Sequence, residues 1–315
     1  MIKVVVTDLE YKKVEEIFKN TDGFECICAP SHEKELSEII KQTGAKYAIV
    51  GVTKYINELY DALPAGGVIA RFGVGHDGID KVLANSKGIK CTNTPGALDD
   101  SVAECAMGMI MTAARHLATC SMDNKNGNWK NRVGSELSGK TLAIIGCGNI
   151  GRKLAKIAKN GFGMYIVGND YIRPADCSNI DEYTDSFSTA VQNADFVSLH
   201  IPDIAATKNF INAERLNQMK HSAYLINTAR GGVVEEDSVY DAVKEGLIAG
   251  AVLDVFKNEP YMPASKNLRE LDNVIMTPHI GSSTIEACDR MAESCLKNIS
   301  LANSGNFELM NKIIQ

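Results

Sequence analysis

The chain has 315 residues, a formal net charge of −6 and an apolar fraction of 45%. This length favours roughly two domains, and the acidic balance argues against nucleic acid or an anionic membrane as the main partner. No apolar run approaches the ~20 residues that a bilayer span needs, and residues 1–8 resemble a strand and not a signal peptide. The nine cysteines form no C-x-x-C pair, so we expect reduced thiols, a cytoplasmic protein and no metal site.

The first hundred residues alternate strand-like and helix-like segments. Apolar runs predict strands, and segments with helical spacing lie between them. The predicted strands are 2–6, 24–28, 47–50, 68–70 and 89–91, and the predicted helices include 11–20 and 33–42. This order predicts an α/β domain with a parallel sheet.

The character of the chain changes at Thr94-Pro95-Gly96, which breaks the last of these strands. Asp99 to Ser101 supply N-cap chemistry, and we predict a long helix from Val102 to about Cys120. It is rich in small and flexible residues, which suit close packing against another helix or subunit. Segment 121–132 is predicted to be a polar loop or arm.

A glycine-rich stretch, Gly146-Cys147-Gly148-Asn149-Ile150-Gly151, directly follows the apolar run 141–145. A helical pattern over 152–158 and a second strand over 164–167 come next, and Asp170 follows that strand. In this context G-x-G-x-x-G indicates dinucleotide binding, since the glycines allow a tight turn, close approach of a pyrophosphate and close packing of helix on strand. We predict NAD as the cofactor, because Asp170 would accept hydrogen bonds from the ribose hydroxyls and repel a 2′-phosphate.

The alternation resumes after Asp170, with strands predicted at 196–200, 223–227, 249–255 and 273–276 and helices at 188–192, 213–218 and 236–244. A final helix is predicted from Thr284 to about Asn303. Because the first domain is complete before Thr94, we expect this helix to return to it. The prediction is a substrate-binding domain of residues 1–97 and 284–315, a cofactor domain of residues 98–283, and a cleft between them.

Three polar residues follow predicted strands in the second half of the chain: Arg230, Glu259 and His279. Ligands of open α/β sheets bind beyond the carboxyl ends of the strands, so we expect the three side chains to converge near the nicotinamide. An imidazolium can protonate a ketone as hydride arrives, a neighbouring carboxylate favours its charged form, and arginine binds a substrate carboxylate with two parallel hydrogen bonds. Each residue alone has an ordinary interpretation as a loop or capping residue. Their joint occurrence favours hydride transfer to a 2-keto acid.

Motifs over about residues 65–295 resemble one family. They are RFGVGHDGID at 71–80, NTPG at 93–96, VAE at 102–104, the glycine loop at 146–151, LHIP at 199–202, NTARG at 227–231, GAVLDVF at 250–256 and TPHIGSST at 277–284. They resemble the D-isomer-specific 2-hydroxyacid dehydrogenase family, which includes D-3-phosphoglycerate dehydrogenase, hydroxypyruvate and glyoxylate reductases and D-lactate dehydrogenase. The resemblance implies two doubly wound parallel-sheet domains, a flavodoxin-like substrate domain and a Rossmann NAD domain.

The resemblance also implies roles for single residues. Arg230, Glu259 and His279 would be catalytic, and the N–H groups of Val74 and Gly75 would help to hold the substrate carboxylate. Cofactor contacts would come from Asn149, Ile150, Asp170, His200, Ile201, Pro202, Thr228, Ala229, Arg230, Asp254, His279, Gly281 and Ser282. Asp254 would face the nicotinamide amide, and the helix from Val102 would pair two subunits in a homodimer.

The substrate remains open among 3-phosphoglycerate, glycerate or hydroxypyruvate, glyoxylate and a larger keto acid. Arg71 resembles a basic, substrate-binding residue of phosphoglycerate-type members. Those members also carry an arginine in the loop after the third strand, where this chain has Gly51-Val52-Thr53-Lys54. Whether Lys54 replaces that charge, and whether His76 touches the substrate, the sequence leaves open.

Two other functions share this scaffold. Formate dehydrogenases have the same architecture but place glutamine where this chain has Glu259, so Glu259 argues against that chemistry. Transcriptional corepressors of this fold use NAD(H) to set assembly, and they carry added interaction segments that we do not expect here. If the protein binds NAD but consumes every 2-keto acid only slowly, that result would favour a corepressor function over a dehydrogenase function.

Overall fold

A computed structural model describes residues 1–263 and 265–313. The chain separates into two compact units, Met1–Leu98 with Ser283–Gln315 and Asp99–Ser282. Residues 314 and 315, which the predicted first domain included, lie outside the described residues.

The first unit contains a five-stranded parallel sheet in the order β2-β1-β3-β4-β5, which is the flavodoxin-like order. Its strands are β1 (Ile2–Thr7), β2 (Phe24–Ala29), β3 (Tyr47–Val50), β4 (Val68–Arg71) and β5 (Lys90–Thr92). Its first helices are α1 (Asp8–Lys13), α2 (Glu15–Asn20), α3 (Glu33–Thr43), α4 (Glu58–Ala62) and α5 (Lys81–Ser86). Strands β3 and β4 are buried along their whole length, as expected for inner strands of a sheet covered on both faces.

The second unit contains a seven-stranded parallel sheet in the order β12-β11-β10-β9-β6-β7-β8. Its strands are β6 (Thr141–Ile145), β7 (Tyr165–Asn169), β8 (Glu182–Thr184), β9 (Phe196–Leu199), β10 (Tyr224–Asn227), β11 (Gly250–Leu253) and β12 (Val274–Met276). The first six follow the Rossmann order, with the switch point between β6 and β9. The two sheets confirm the predicted fold class.

The helices of the second unit are α6 (Asp99–Arg115), α7 (Leu117–Lys125), α8 (Asn149–Phe162), α9 (Phe187–Val191), α10 (Ala213–Leu216) and α11 (Glu236–Lys244). The last helix, α12 (Ile285–Asn303), lies in the first unit. It is capped by Thr284, whose hydroxyl accepts the N–H of Ala287 at 3.1 Å.

Two predicted helices were wrong in extent. The segment 11–20 is two short helices, because Val14 adopts φ −143° and ψ 44° between them. The helix predicted from Val102 to about Cys120 ends at Arg115, and α7 makes residues 121–125 of the predicted loop helical. His116 has a left-handed φ of 53°, and Ser135 N–H takes the Ala114 carbonyl that a continuing helix would use.

Among the described helices, none is long and apolar enough to cross a bilayer. The described residues also contain no group of three or more histidine, cysteine or acidic side chains that could hold a metal ion.

Candidate active site

The glycine loop joins β6 to α8. Gly146 has a φ of +100°, and a Cβ there would lie 2.5 Å from the carbonyl oxygen of His200, so only glycine fits. A side chain at Gly151 would collide with the carbonyl oxygen of Gly146. Apart from Gly148 and its two chain neighbours, no atom of the described residues lies within 4 Å of a Cβ position at Gly148, which caps α8. The α8 N-terminus is therefore open to a pyrophosphate.

Asp170 follows β7 and faces this loop. One carboxylate oxygen accepts the N–H of Cys147 at 2.8 Å, and the other accepts the N–H of Tyr171 at 2.7 Å. The hydroxyl of Tyr183 donates to the Asp170 carbonyl at 2.6 Å. These bonds orient a carboxylate beside the loop, where the predicted ribose contact requires an acceptor.

The ends of β9 and β10 bring further predicted cofactor residues to the same sheet edge. The ring Nε2 of His200 lies 2.9 Å from the hydroxyl of Ser198, and burial lowers the pKa of His200 to about 4, so its ring is neutral near pH 7. Ile201 and Pro202 follow directly. The buried hydroxyl of Thr228 has no hydrogen-bond partner among the described residues. A polar ligand would satisfy it.

Arg230 follows β10 on a turn fixed by Asn227. The side chain of Asn227 accepts the N–H of Ala229 at 3.0 Å and donates to the carbonyl of Arg230 at 2.9 Å. A Cβ at Gly231 would collide with the backbone of Phe256 and Lys257. The turn that carries Arg230 therefore lies directly against the segment that leads to the predicted carboxylate partner of His279.

Glu259 and His279 form a close pair. Nδ1 of His279 lies 2.7 Å from Oε2 of Glu259, and Oε1 accepts the N–H of Phe256 at 3.0 Å. Burial raises the pKa of Glu259, but the hydrogen bond and charge of His279, then the Phe256 N–H and the Arg230 charge, outweigh it. The net pKa of Glu259 is lowered, so this carboxylate is ionised near neutral pH.

Asp254, at the end of β11, holds the turn that carries His279. Its Oδ1 accepts the Thr277 hydroxyl at 2.6 Å and the Ile280 N–H at 2.8 Å, and its Oδ2 accepts the Gly281 N–H at 2.8 Å. Its backbone carbonyl accepts the N–H of His279, whose φ is a left-handed 55°. Asp254 is 1% exposed, and its predicted contact with the nicotinamide stays a prediction.

In the first unit, Arg71 ends β4 and is 7% exposed. Its guanidinium donates to the Phe72 carbonyl and packs over Gly73. The following loop is held by the Asn93 side chain, which donates to the Val74 carbonyl at 2.8 Å, and by the Thr94 N–H, which donates to the Gly73 carbonyl. The predicted substrate residues Val74 and Gly75 are half-buried in this loop.

Of the two residues with open roles, Lys54 is exposed on the loop after β3. The ring Nδ1 of His76 lies 3.2 Å from Nζ of Lys81. One contact of His76 therefore lies on α5.

Within the second unit, the structure places the predicted cofactor residues at the carboxyl ends of six strands and brings Arg230, Glu259 and His279 together. Sequence reasoning missed the supporting groups, which are the Asn227 side chain, the Phe256 N–H and the Thr277 hydroxyl. Asn227 and Thr277 stand inside the quoted motifs, so their position was a signal. A backbone donor such as the Phe256 N–H leaves no signal in the sequence, because every residue except proline has one.

The family model described as D-isomer specific 2-hydroxyacid dehydrogenase, NAD binding domain, matches residues 107–281 of this chain. The chain belongs to this family. It is 39% identical over 300 residues to a hydroxypyruvate reductase from Thermotoga maritima, covering 94% of this chain and 97% of that protein. It is 40% identical to a glyoxylate reductase from Thermococcus litoralis, covering 88% and 86% of the two chains.

Among solved structures, this dehydrogenase is similar to D-lactate dehydrogenase from Aquifex aeolicus, crystallised with NAD and lactic acid. The TM-score is 0.84 at 30% identity, over 99% of each chain. The protein is therefore an NAD-dependent oxidoreductase of the D-2-hydroxyacid family, and its reaction is hydride transfer between nicotinamide and a 2-hydroxy or 2-keto acid. The open face at Gly148, the oriented carboxylate of Asp170 and the unpartnered Thr228 hydroxyl fit the cofactor.

Proposed function

We propose that this dehydrogenase interconverts a small 2-keto acid and its D-2-hydroxy acid, with His279 as the acid and base, Glu259 tuning it and Arg230 holding the substrate carboxylate. The nicotinamide, when bound, supplies or accepts the hydride at C4. His279 gives a proton to the carbonyl oxygen in reduction and takes it back in oxidation.

The observation that carries this proposal is the 2.7 Å contact between His279 Nδ1 and Glu259 Oε2. It leaves Nε2 as the ring atom that exchanges the proton with substrate. Because the pKa of Glu259 is lowered, the carboxylate stays charged and favours the imidazolium. The Phe256 N–H fixes the other carboxylate oxygen, so the ring has one preferred orientation.

Substrate binding is assigned to both units. The Arg230 guanidinium, whose Nη1 donates to the Ala229 carbonyl at 2.6 Å, has the planar geometry that suits a substrate carboxylate, and its charge acts on Glu259. The N–H groups of Val74 and Gly75 are also proposed as substrate contacts, because the family resemblance implies that role. Arg71 is proposed as a further substrate-binding residue, and its guanidinium packs over Gly73 of this loop.

The proposed cofactor contacts are those that the family resemblance implies. The residues are Gly146, Gly148, Asn149, Ile150, Gly151, Asp170, His200, Ile201, Pro202, Thr228, Ala229, Arg230, Asp254, His279, Gly281 and Ser282. They lie at the ends of β6, β7, β9, β10, β11 and β12. This is the strand edge where ligands of such sheets bind.

A cytoplasmic homodimer is the proposed assembly, paired through the helix that includes Val102. That helix, α6, buries one face against α8. The adjoining α7 has no buried residue, and Trp129 in the following arm is 90% exposed. Exposed apolar surface of this kind favours a protein partner. Sedimentation of the wild type and of Trp129→Ser tests whether that partner is a second copy of this chain.

The test of the reaction is a panel of 2-keto acids assayed with NADH in the wild type and in His279→Ala. General acid–base catalysis is worth about 10²–10⁴-fold, so the variant loses that much turnover and keeps its NADH affinity within a few-fold. Near-normal turnover in the variant would remove His279 from the mechanism. Tight NADH binding with no reduction of any keto acid by the wild type would favour a corepressor.

A further inference from the structure

Two neighbouring peptide groups in the loop after β4 are held by the segment that follows β5. The Thr94 N–H donates to the Gly73 carbonyl at 3.1 Å, and the Asn93 side-chain amide donates to the Val74 carbonyl at 2.8 Å. In a planar trans peptide group, the carbonyl and the N–H of the next residue point in opposite directions. The N–H groups of Val74 and Gly75 therefore both point away from the segment that binds the two carbonyls.

These two N–H groups are donors without an internal acceptor. Within residues 1–263 and 265–313, neither the Val74 N–H nor the Gly75 N–H makes a hydrogen bond. Successive backbone N–H groups on one side of a turn form a site for an anion. The direction of both donors, and with it the affinity for an anion, depends on the residues that fix the two carbonyls.

A buried asparagine of α12 fixes the next peptide group in this arrangement. Asn298 is 2% exposed, and its Nδ2 donates to the Asn93 carbonyl at 3.3 Å. Its Oδ1 accepts the Asn311 N–H at 3.0 Å, so the amide has one orientation. The Asn93 carbonyl and the Thr94 N–H belong to the same peptide group. Asn298 therefore orients the donor that binds the Gly73 carbonyl.

The segment after α12 runs antiparallel to β5 and holds the backbone at Asn93. The Asn311 carbonyl accepts the Asn93 N–H at 3.2 Å, and the Ile313 N–H donates to the Cys91 carbonyl at 2.9 Å. Both the N–H and the carbonyl of Asn93 are thereby bound, the carbonyl by Asn298. The Asn93 side-chain amide consequently reaches the proposed substrate loop from a fixed backbone.

We infer that Asn93 and Asn298 are positioning residues for the substrate carboxylate, each acting on one of its two backbone donors. Asn93 orients the Gly75 N–H through the Val74 carbonyl, and Asn298 orients the Val74 N–H through the Thr94 N–H. Hydrogen bonds in such a chain polarise one another, so each amide also makes the N–H at the end of its chain a stronger donor. The inference rests on the proposed function, in which these two N–H groups contact substrate.

The experiment measures KM and kcat, with saturating NADH, for the 2-keto acid of the panel that the wild type reduces most efficiently. It compares the wild type with Asn93→Ala and Asn298→Ala. A hydrogen bond to a charged group is worth roughly 10–100-fold in affinity, so misdirection of one N–H should raise KM about tenfold. Because the carboxylate is bound in the ground state and in the transition state alike, kcat should stay within about threefold.

Two further variants separate the lost donor from a general effect of substitution. Asn93→Asp has the shape of asparagine but no amide N–H, so it should raise KM at least as much as Asn93→Ala. Asn20→Ala is the matched control, because the Asn20 amide also donates to a backbone carbonyl of the first unit, that of Glu16 at 2.9 Å, but on α2. It should leave KM within about twofold.

Binding without turnover is measured with oxamate, a carboxylate with the shape of a small 2-keto acid. Its affinity for the enzyme with NADH bound should fall in parallel with the rise in KM for Asn93→Ala and Asn298→Ala. The affinity for NADH alone should stay within about twofold. Thermal unfolding of each variant checks its folding, since a purely structural role lowers the Tm and leaves KM as in the wild type.

The outcomes separate this inference from the proposed function. No reduction of any keto acid by the wild type would overturn the proposed function. With an active wild type, unchanged KM and oxamate affinity in folded Asn93→Ala and Asn93→Asp would overturn the positioning role alone, as would a fall in kcat at constant KM or an equal rise in KM for Asn20→Ala. An effect confined to the Asn93 variants would overturn the role of Asn298. The half-buried site of Asn93 keeps the test available if Asn298→Ala does not fold.

Discussion

Oε2 of Glu259 lies 2.7 Å from Nδ1 of His279, while its second oxygen accepts the Phe256 N–H at 3.0 Å. The carboxylate is thereby fixed on both sides, and the imidazole ring is held by a group that does not itself rotate freely. A charged partner in this geometry favours the protonated ring, which is the form that reduction of a ketone needs.

Glu259→Gln should shift the pH dependence of keto-acid reduction. In the wild type the pKa of Glu259 is lowered, so its charge is present at neutral pH and is lost only as the pH falls through that lowered value. Glutamine keeps the shape without the charge, so a positively charged ring at His279 loses the stabilisation of a neighbouring carboxylate. The alkaline limb of reduction moves to lower pH, with less activity at pH 7.5 than at pH 5.5. An alkaline limb in the same place for both proteins would show that Glu259 does not tune His279.

Arg230→Lys should raise the KM for every 2-keto acid. Lysine keeps the charge but replaces a planar pair of donors by a point charge, and the loss of one charge-assisted hydrogen bond costs about 1.5–3 kcal/mol, or roughly 10–100-fold. NADH binding, measured by fluorescence, should change by less than about threefold, because the charge is retained. Unchanged KM values would count against a carboxylate role for Arg230.

NADH should exceed NADPH in kcat/KM by roughly tenfold or more, since the Asp170 charge would repel a 2′-phosphate. Arg173 is the competing influence, because an arginine near this acid can pair with the phosphate. Its guanidinium instead lies over the Tyr183 ring, 5.5 Å from the centroid. Asp170→Ser should reduce the ratio of kcat/KM with NADH to kcat/KM with NADPH. Arg173→Ala in the wild-type background should change this ratio little. Equal efficiency with the two cofactors in the wild type would contradict this prediction.

Asp254→Asn should misplace His279. An amide nitrogen cannot accept one of the three hydrogen bonds that the Asp254 carboxylate receives, so the left-handed turn at His279 loses support. A displacement of about 1 Å can cost ~10²-fold in turnover, and an unsatisfied buried donor costs about 1–3 kcal/mol of stability. Turnover and thermal unfolding measure the two effects. A purely structural role would lower stability with a normal kcat.

The fold and the principal site residues were predictable, because they stand where an apolar strand ends in a polar motif. The stretches around Gly146, Asp170 and Arg230 each follow a buried strand of the Rossmann order. Parallel strands bring their carboxyl ends to one edge, so the order of motifs along the chain is enough to predict which residues meet.

Other features depend on contacts between distant segments. The helix break at His116 is supported by Ser135, which takes a carbonyl from α6, and no pattern in residues 102–120 signals it. Glu10 is 5% exposed although the charged residues around it are mostly exposed, so local composition does not predict its burial. Asp254 was predicted to contact the cofactor from its motif. Its three hydrogen bonds to Thr277, Ile280 and Gly281 were not predicted, because they depend on where β12 ends relative to β11.

The close approach at Gly231 has a consequence for the spacing of the reacting groups. Here the backbone that leads from Arg230 touches the backbone that leads to Glu259, with no side chain between them. Because Gly231 has no side chain, the two backbone segments are in direct contact, and this contact determines the separation between the Arg230 guanidinium and the Glu259–His279 pair. A single methyl group would widen that gap while leaving every reacting atom in the chain unaltered. The separation between Arg230 and the Glu259–His279 pair is thus determined by a glycine that takes no part in the reaction.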